Sequence, residues 1–424
     1  MAQELTSYFE QQATVWDRRI RSCFGLYLLI LSAITLLICC QRDRDLDPWT
    51  LGDWLINYSA GFVRRGLIGE IALFATRWSP QSSVRIIFML QAVCFISFIA
   101  CVYRLTRNLH WDFALSTLLL SPAAFSFFLM NEEEDLRKEV LVFAALALLS
   151  MPRIHNQRAW RLSAALTLLI SVVVLSHEAL TVYLPYLFAM LLLHRGLRAT
   201  VLICSVPAVA AIGAVLAVVT HTGNLLMAQT ICSSIGGHLQ PFTIRGATER
   251  CGGAISWLQV AVGQTHSLIW PTIRDLHTFR TFALLIPVSV GPAILCLVKL
   301  WRAGLQLQVR QISTIAVLSS IASLALYYTS IDWGRWIFIH VVCVTLLILA
   351  CMQRTKHFSL SPHSGILRPR ARISLIVFVF LYATVWRLPV GGSLGGAHSV
   401  ILSPLVKQSY HYLSKRGPTV RNGH

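Results

Sequence analysis

The chain has 424 residues, 55% of them hydrophobic and 13% charged, with a formal net charge of +18 and a mean hydropathy of +0.64. Soluble domains carry about 25% charged residues, so the composition excludes a soluble protein with a single anchor and requires an integral membrane protein. The basic surplus lies in short, acid-poor segments between apolar runs, which is the positive-inside pattern and not a nucleic-acid face.

Met1–Arg21 is polar, and no small-residue cleavage site follows the first apolar run. It reads as a cytoplasmic N-terminal segment (1–21) and not as a removed signal. A spanning helix needs about 20 apolar residues. Apolar runs fall near 22–41, 84–104, 113–130, 139–152, 162–176, 179–194, 199–219, 281–300, 312–330, 335–352 and 373–388. The expectation is an all-α polytopic membrane bundle of about eleven transmembrane helices, a single domain over 22–390, followed by a C-terminal tail at 391–424. No period of 20–50 residues marks a repeat.

With the N-terminus inside, the short inner connections hold Arg104 and Arg107, then Arg153, Arg158 and Arg161, then Arg195 and Arg198, then Lys299, Arg302 and Arg310, then Arg354 and Lys356. Outer segments near 42–83, 131–139, 176–178, 220–280 and 330–335 receive 14 of the 18 acidic residues. The same alternation leaves the tail outside, with Lys407, Lys415, Arg416 and Arg421, unless the apolar stretch Val400–Val406 returns it. Cys39, Cys40, Cys94, Cys101, Cys204, Cys296, Cys343 and Cys351 fall in apolar runs, where they act as small hydrophobes. Only Cys232 and Cys251 share a polar loop, and a disulfide there needs an oxidising compartment. No CxxC or HExxH is present, so no dedicated metal site is indicated, and a divalent cation stays open as a co-reactant.

Four outer motifs carry chemistry. The first loop holds Asp43, Asp45 and Asp47, then Asp53, Asn57, Arg64 and Arg65. There Trp54, Tyr58 and Phe62 recur every four residues, predicting one helix face laid on the outer leaflet. An anchor of that kind accounts for arginines on lipid phosphates, but a carboxylate gains nothing from an anionic surface. In Asn131–Glu139, the pairs Glu133–Arg137 and Glu134–Lys138 fit a self-paired helical turn. Arg137, Lys138 and Glu139 run on into an apolar segment, where ionisable residues face the interior. Ser176-His177-Glu178 interrupts an apolar run too long for one span, so two short spans should meet there at a turn whose residues are not ordinary turn formers. Asp332-Trp333-Gly334-Arg335-Trp336 is a tight turn whose Asp and Arg can pair. The long loop with His221, His238, Arg245, Arg250, His266, Arg274 and His277 fits a lid over the same face.

This layout resembles the GT-C superfamily of polytopic glycosyltransferases, which take sugars from polyprenyl-phosphate carriers. Three features carry the resemblance. A first span leads into the acidic outer loop Asp43–Arg77, with amphipathic helices. A Pro-containing span (Ser121-Pro122) leads through Asn131–Glu139 into another span. Two short spans meet at a polar turn and run into Leu184-Pro185, with His177-Glu178 where that family often has a basic residue. The second half, with the long loop and Asp332–Trp336, resembles O-antigen polymerase-like proteins, which use the same carriers and rely on outward arginines. The resemblance implies an extracytoplasmic-face transferase of a bacterial inner membrane, moving a sugar to a cell-envelope glycan or lipid acceptor in polysaccharide biosynthesis. Its partners would be membrane lipid, donor and acceptor, and no nucleic acid. Asp53 or Asp47 would be the catalytic carboxylate. Arg64, Arg65, Arg137, Lys138, His177 and Arg335 would bind phosphate, with Asn57, Glu139, Glu178 and Asp332 orienting them or holding the acceptor. A polymerase or ligase uses the same chemistry. A transporter or flippase of an anionic lipid-linked substrate is the alternative from another class, and it calls for ionisable residues in mid-span and an inverted repeat.

Overall fold

A computed structural model describes residues 2–45, 47–79, 81–130, 136–239, 251–260, 262–354 and 369–389. Among them the fold is all-helical. In chain order the helices are α1 (Ala2–Asp45), α2 (Thr50–Leu55), α3 (Leu67–Ala75), α4 (Ser83–Thr106), α5 (Phe113–Leu119), α6 (Phe127–Met130), α7 (Glu139–Leu149), α8 (Pro152–His155) and α9 (Ala159–Ser176). A 3₁₀ segment, Glu178–Tyr183, leads to α10 (Leu184–Arg195), α11 (Leu197–Thr220), α12 (Leu225–Ser234) and a second 3₁₀ turn, Ser256–Gln259. Then come α13 (Val262–Ile273), α14 (Leu276–Arg302), α15 (Gln306–Ala322), α16 (Leu324–Thr329), α17 (Trp333–Arg354) and α18 (Pro369–Thr384).

Among the described residues, seven helical segments are long and apolar enough to cross a bilayer: Arg19–Gln41, Ser83–Thr106, Ala159–Ser176, Leu197–Thr220, Thr278–Arg302, Gln306–Thr329 and Trp333–Arg354. The other four expected spans are shorter or interrupted, and each interruption has a local cause. The run 113–130 breaks where Leu120 leaves helical geometry before Ser121-Pro122, since proline disfavours helix at the residue before it. The freed polar groups are used locally: Ser126 Oγ donates to the Ser121 carbonyl at 3.0 Å, and Ser121 Oγ pairs with Tyr382 Oη at 3.1 Å. The run 179–194 opens as a 3₁₀ turn before α10, which has Pro185 in its first turn. Segments 139–152 and 373–388 form helices of only 11 residues (α7) and 16 residues (α18).

One span is unlike the others. Across the spanning window of Trp333–Arg354, 94% of residues are buried by protein, against 39% or less for the other long helices. α17 is the axle of the bundle. α4, α7, α10, α14 and α15 pack around it, and a stacked aromatic group (Phe127, Phe128, Phe143, Phe338) fills one side. On another side His340 joins α17 to its neighbours. Ser323 Oγ donates to the Ser319 carbonyl, so it must accept from His340 Nε2–H at 2.8 Å, which leaves Nδ1 to accept from Tyr186 Oη at 2.7 Å. The network is complete and directional.

The two ends of the bundle differ in chemistry. At one end, Arg21 donates to the Arg107 carbonyl, Gln353 to the Leu105 carbonyl, Arg195 to the Gln157 carbonyl, and Lys299 pairs with Asp112. These contacts gather the inner connections of the sequence pattern at a single end. The opposite end collects the acidic loops.

The first loop departs from its sequence periodicity. The helix holding Trp54 stops at Leu55, so Tyr58 and Phe62 do not continue its face. Asn57 Oδ1 accepts from the Ser59 amide, and Gly61 turns the chain at φ 94°. Trp54 is fully buried and donates Nε1–H to the Leu136 carbonyl at 3.0 Å, while Phe62 meets the His221 ring edge-on. Gly69 then seats α3 directly on Ile56, since a Cβ there would lie 1.9 Å from the Ile56 oxygen. The motif Glu133–Arg137/Glu134–Lys138 lies partly outside the described residues, as do Arg245, Arg250 and the tail beyond 389.

Sidedness is open to a direct test. In a background lacking exposed Cys23, single cysteines at Ser59 and Asn224 should react with an impermeant thiol reagent from one side of the membrane, and a cysteine at Gln157 only from the other. Labelling of all three from one side would overturn the arrangement.

Candidate functional site

Residues spread from 53 to 335 in the sequence converge at the acidic end. Asp53 sits in the buried turn-and-a-half of α2, whose start is capped by Asp47: its Oδ1 accepts from the Trp49 and Thr50 amides at 3.0 and 2.5 Å. Lys138 arrives just before α7 and is fully buried. Its Nζ donates to the Asp53 carbonyl at 2.6 Å and the Arg65 carbonyl at 3.1 Å, and lies 3.3 Å from Asp53 Oδ2. One ammonium therefore ties the two ends of the first loop together.

Arg65 holds a left-handed backbone, φ 68°, an uncommon conformation for a non-glycine residue. Its surroundings over-determine it. Lys138 holds its carbonyl, and its guanidinium clasps Glu178, with Nε 3.0 Å from both carboxylate oxygens and Nη2 2.6 Å from Oε1. Gly66 follows of necessity, because a Cβ there would enter the Tyr58 ring at 2.3 Å. Arg64 reaches Glu178 only at 3.6 Å, and its Nε is buried without a hydrogen-bond partner. Glu178 opens the 3₁₀ turn after His177, whose extended backbone (φ −162°) ends α9. The His177 ring is buried, and Nδ1 has no partner.

From the far side, Arg335 in the first turn of α17 makes a two-pronged bond to Glu139, Nε to Oε1 at 3.0 Å and Nη2 to Oε2 at 2.7 Å, both side chains buried. Its Nη1 also lies 3.8 Å from Asp332. Beside it, Gly334 lets the chain at Pro389 lie directly on the start of α17, since a Cβ there would meet the Pro389 oxygen at 1.9 Å.

The charges decide each other's protonation. Burial alone would raise the Asp53 carboxyl, but its neighbours, Lys138 foremost, then His177, Arg65 and Arg335, bring it down to about 2. Burial lowers Lys138 to about 8 despite Asp53, with Arg65 adding repulsion. Burial and the Arg65 charge also hold His177 well below the usual imidazole range, so it stands neutral among the cations. Burial works against the charged form of Glu178, yet the clasp of Arg65 holds it well below the ordinary carboxylate range.

Asp53, Arg64, Arg65, Lys138, Glu139, His177, Glu178, Asp332 and Arg335 are thus brought into one linked cluster, and half-buried Arg137 adjoins it in sequence. Two of the expected site residues have structural duties instead. Asp47 spends its carboxylate as the α2 cap. Asn57 spends its amide on the Leu55 carbonyl, the Ser59 amide and Ser234. Sequence reasoning passed over Gln91, which donates to the Leu136 carbonyl at 2.8 Å beside Trp54, and His340. Each was visible as a lone polar residue within an apolar run. The long loop does reach the site's first loop: the Arg64 amide donates to the His221 carbonyl at 2.9 Å, and Cys232 and Cys251 form a disulfide.

These features define a polytopic helical membrane protein with a buried, internally neutralised charge cluster at one end. The chain belongs to the uncharacterised membrane protein Rv1490 family, whose model matches residues 22–251, just over half of its length. The matched region contains Asp53, Arg64, Arg65, Lys138, His177 and Glu178; Arg335 lies beyond it. No curated protein and no solved structure matches the chain.

Removing one partner of a buried ion pair costs about 3–5 kcal/mol, because the other charge is left uncompensated. Lys138→Met should destabilise the protein by that order in a detergent unfolding titration, and Asp53→Asn added to it should recover part of the loss. Additive losses would show that the two do not interact. The pH dependence has a definite sign. Asp53 titrates lower in the folded than in the unfolded chain, so its contribution is complete above about pH 4 and lost as pH falls through about 2. Lys138 also titrates lower when folded, so the cost of burying its charge is relieved as pH rises from about 8 towards about 10.5.

Proposed function

We propose that this protein transfers a sugar from a polyprenyl-phosphate-linked donor to a hydroxyl of a cell-envelope glycan or lipid, at the extracytoplasmic face of a bacterial inner membrane. The observation that carries the reading is the state of Asp53: a buried carboxylate ion-paired with Lys138 at 3.3 Å and Arg65 at 3.7 Å, with no well-aligned hydrogen bond to either oxygen. A buried acceptor left open in this way has its capacity in reserve for a ligand's proton. Beside it, Arg64 Nε and His177 Nδ1 are also unspent.

The chemistry follows from those unspent atoms. The acceptor hydroxyl donates to Asp53 and attacks the anomeric carbon. A C–O bond forms there as the bond from that carbon to the phosphate oxygen breaks. The electron pair leaves with the polyprenyl phosphate, and the anomeric centre inverts. A carboxylate held at about 2 is a weak base, so the proton moves late, once the attacking oxygen has acidified. Arg64, with a guanidinium suited to phosphate, and His177 stabilise the departing charge. Lys138, Arg65 and Arg335 are committed to Asp53, Glu178 and Glu139, and act by keeping the carboxylate ionised and in place. The positive-inside rule assigns the basic end to the cytoplasm, and the Cys232–Cys251 pairing favours an oxidising compartment at the other end. A transporter would call for an open ionisable group in mid-span, away from either end of the bundle. His340 has both ring nitrogens engaged and offers none.

The test uses membrane vesicles supplied with a radiolabelled polyprenyl-phosphate-linked sugar. Asp53→Asn should lower transfer by at least about 100-fold per molecule of folded protein, measured against the amount of inserted protein because losing one partner of the buried pair also destabilises the fold. Arg64→Gln should raise the donor KM by about tenfold or more, as expected for a lost charge-assisted contact. Activity should decline above about pH 8 as Lys138 loses its proton, and Lys138→Arg should move that limb upward. Undiminished transfer in Asp53→Asn would remove Asp53 from the chemistry.

A further inference from the structure

We propose that the Cys232–Cys251 disulfide is a positioning brace for Asp53, fixing α2 from both of its flanks. α2 has six residues, too few for a helix to hold itself in water, so its place must be imposed from outside. Lys138 grips its middle. The disulfide anchors the contacts at its ends.

The disulfide joins Cys232, on α12, to Cys251, which opens the segment 251–260, and both cysteines are buried. Each arm leads to a flank of α2. From Cys251, Gly253 lies so close to the first loop that a Cβ would stand 2.4 Å from the Pro48 oxygen. The Ala254 amide donates to that same oxygen at 3.0 Å, and the Trp257 ring lies 6.3 Å from Trp49. From Cys232, two residues on, Ser234 Oγ accepts from Asn57 Nδ2 at 3.0 Å. Pro48 and Trp49 precede α2, and Asn57 follows it by two residues. Without the covalent link the two arms are tied only by noncovalent contacts, and the first loop loses a fixed wall. The mechanical half of this inference stands on these contacts alone. Its catalytic half rests on Asp53 as the acceptor of the hydroxyl proton.

The full-length protein in lipid nanodiscs is compared with the double variant Cys232→Ser/Cys251→Ser and with Gly253→Ala, which keeps both cysteines and disturbs only the docking on Pro48. Hydrogen exchange is read at the Gly52 and Asp53 amides, which donate to the Asp47 and Trp49 carbonyls, with α17 amides as the internal control. Exchange at 52–53 should quicken by about tenfold or more in both variants while α17 stays unchanged, the mark of local and not global opening. If the double variant fails to accumulate, the same exchange measurement on the parent protein in nanodiscs before and after reduction of the Cys232–Cys251 bond decides. Exchange within about twofold of the parent at 52–53 would overturn the brace. In the transfer assay, the alkaline limb should move upward in the variants, because a loosened α2 lets water reach Lys138; a mere loss of folded protein would lower the plateau and leave the limb in place. Faster exchange with an unmoved limb and full transfer would overturn the catalytic half. Faster exchange in a protein whose parent form transfers no sugar would keep the brace and overturn the proposed reaction.

Discussion

The acidic end of this protein depends on one ammonium group. Lys138 Nζ is removed from water and satisfied by two backbone carbonyls, those of Asp53 and Arg65, and by the Asp53 carboxylate. The carbonyl contacts fold the first loop back on itself, and the carboxylate contact keeps Asp53 ionised. Arg65 can hold a left-handed backbone because its carbonyl is caught there and its side chain is caught by Glu178. Strain of this kind persists where neighbours over-determine it, and it clusters at functional sites.

Burying so many charges is not a route to stability. A buried ion pair often does no better than an apolar pair of the same shape, although removing one member is severe. Arg335 with Glu139 and Arg65 with Glu178 are both two-pronged and mutually neutralising, so the cluster as a whole tolerates burial. Among the described residues, the buried polar atoms there without a hydrogen-bond partner include the Asp53 oxygens, Arg64 Nε and His177 Nδ1, alongside Thr50 Oγ1, Ser176 Oγ and Trp336 Nε1. An acceptor beside two potential donors is an arrangement for a ligand that carries both a hydroxyl and an anion.

Much of this was legible in the sequence. Hydropathy and the Lys/Arg asymmetry marked a polytopic protein with two chemically distinct ends, and the contacts that gather the inner connections at a single end agree with that division. The polar interruptions at 53–65, 138–139, 177–178 and 332–335 had no lipid-facing explanation, and they meet. Their division of labour was hidden, because the sequence does not show which cation each carboxylate will take. Arg335 pairs mainly with Glu139, 196 residues away, and only distantly with its neighbour Asp332. The aromatic period at 54, 58 and 62 misled for a related reason. Helical spacing is a local signal, and it was overridden by the Asn57–Ser59 turn, by Gly61, and by the close seat of Gly69 on Ile56. Of the eleven expected spans, seven have helices long and apolar enough to cross a bilayer among the described residues, and the other four form shorter or interrupted helices, of which α7 and α10 are sheltered by protein while α18 is largely exposed.

The enclosure of α17 bears on how the molecule is made. Its surrounding walls, α4, α7 and α10, leave the ribosome well before it does and pack on one another, with α7 between α4 and α10, yet the faces they turn to α17 stay uncovered until residues 333–354 have been synthesised. The slot at the centre of the bundle is therefore filled by α17 only after most of its walls have been made. Arg335 enters that slot with it and meets Glu139 only at the end. Completion of the charge cluster is thus tied to completion of the chain, and a truncated product would present the bilayer with an acid still waiting for its base.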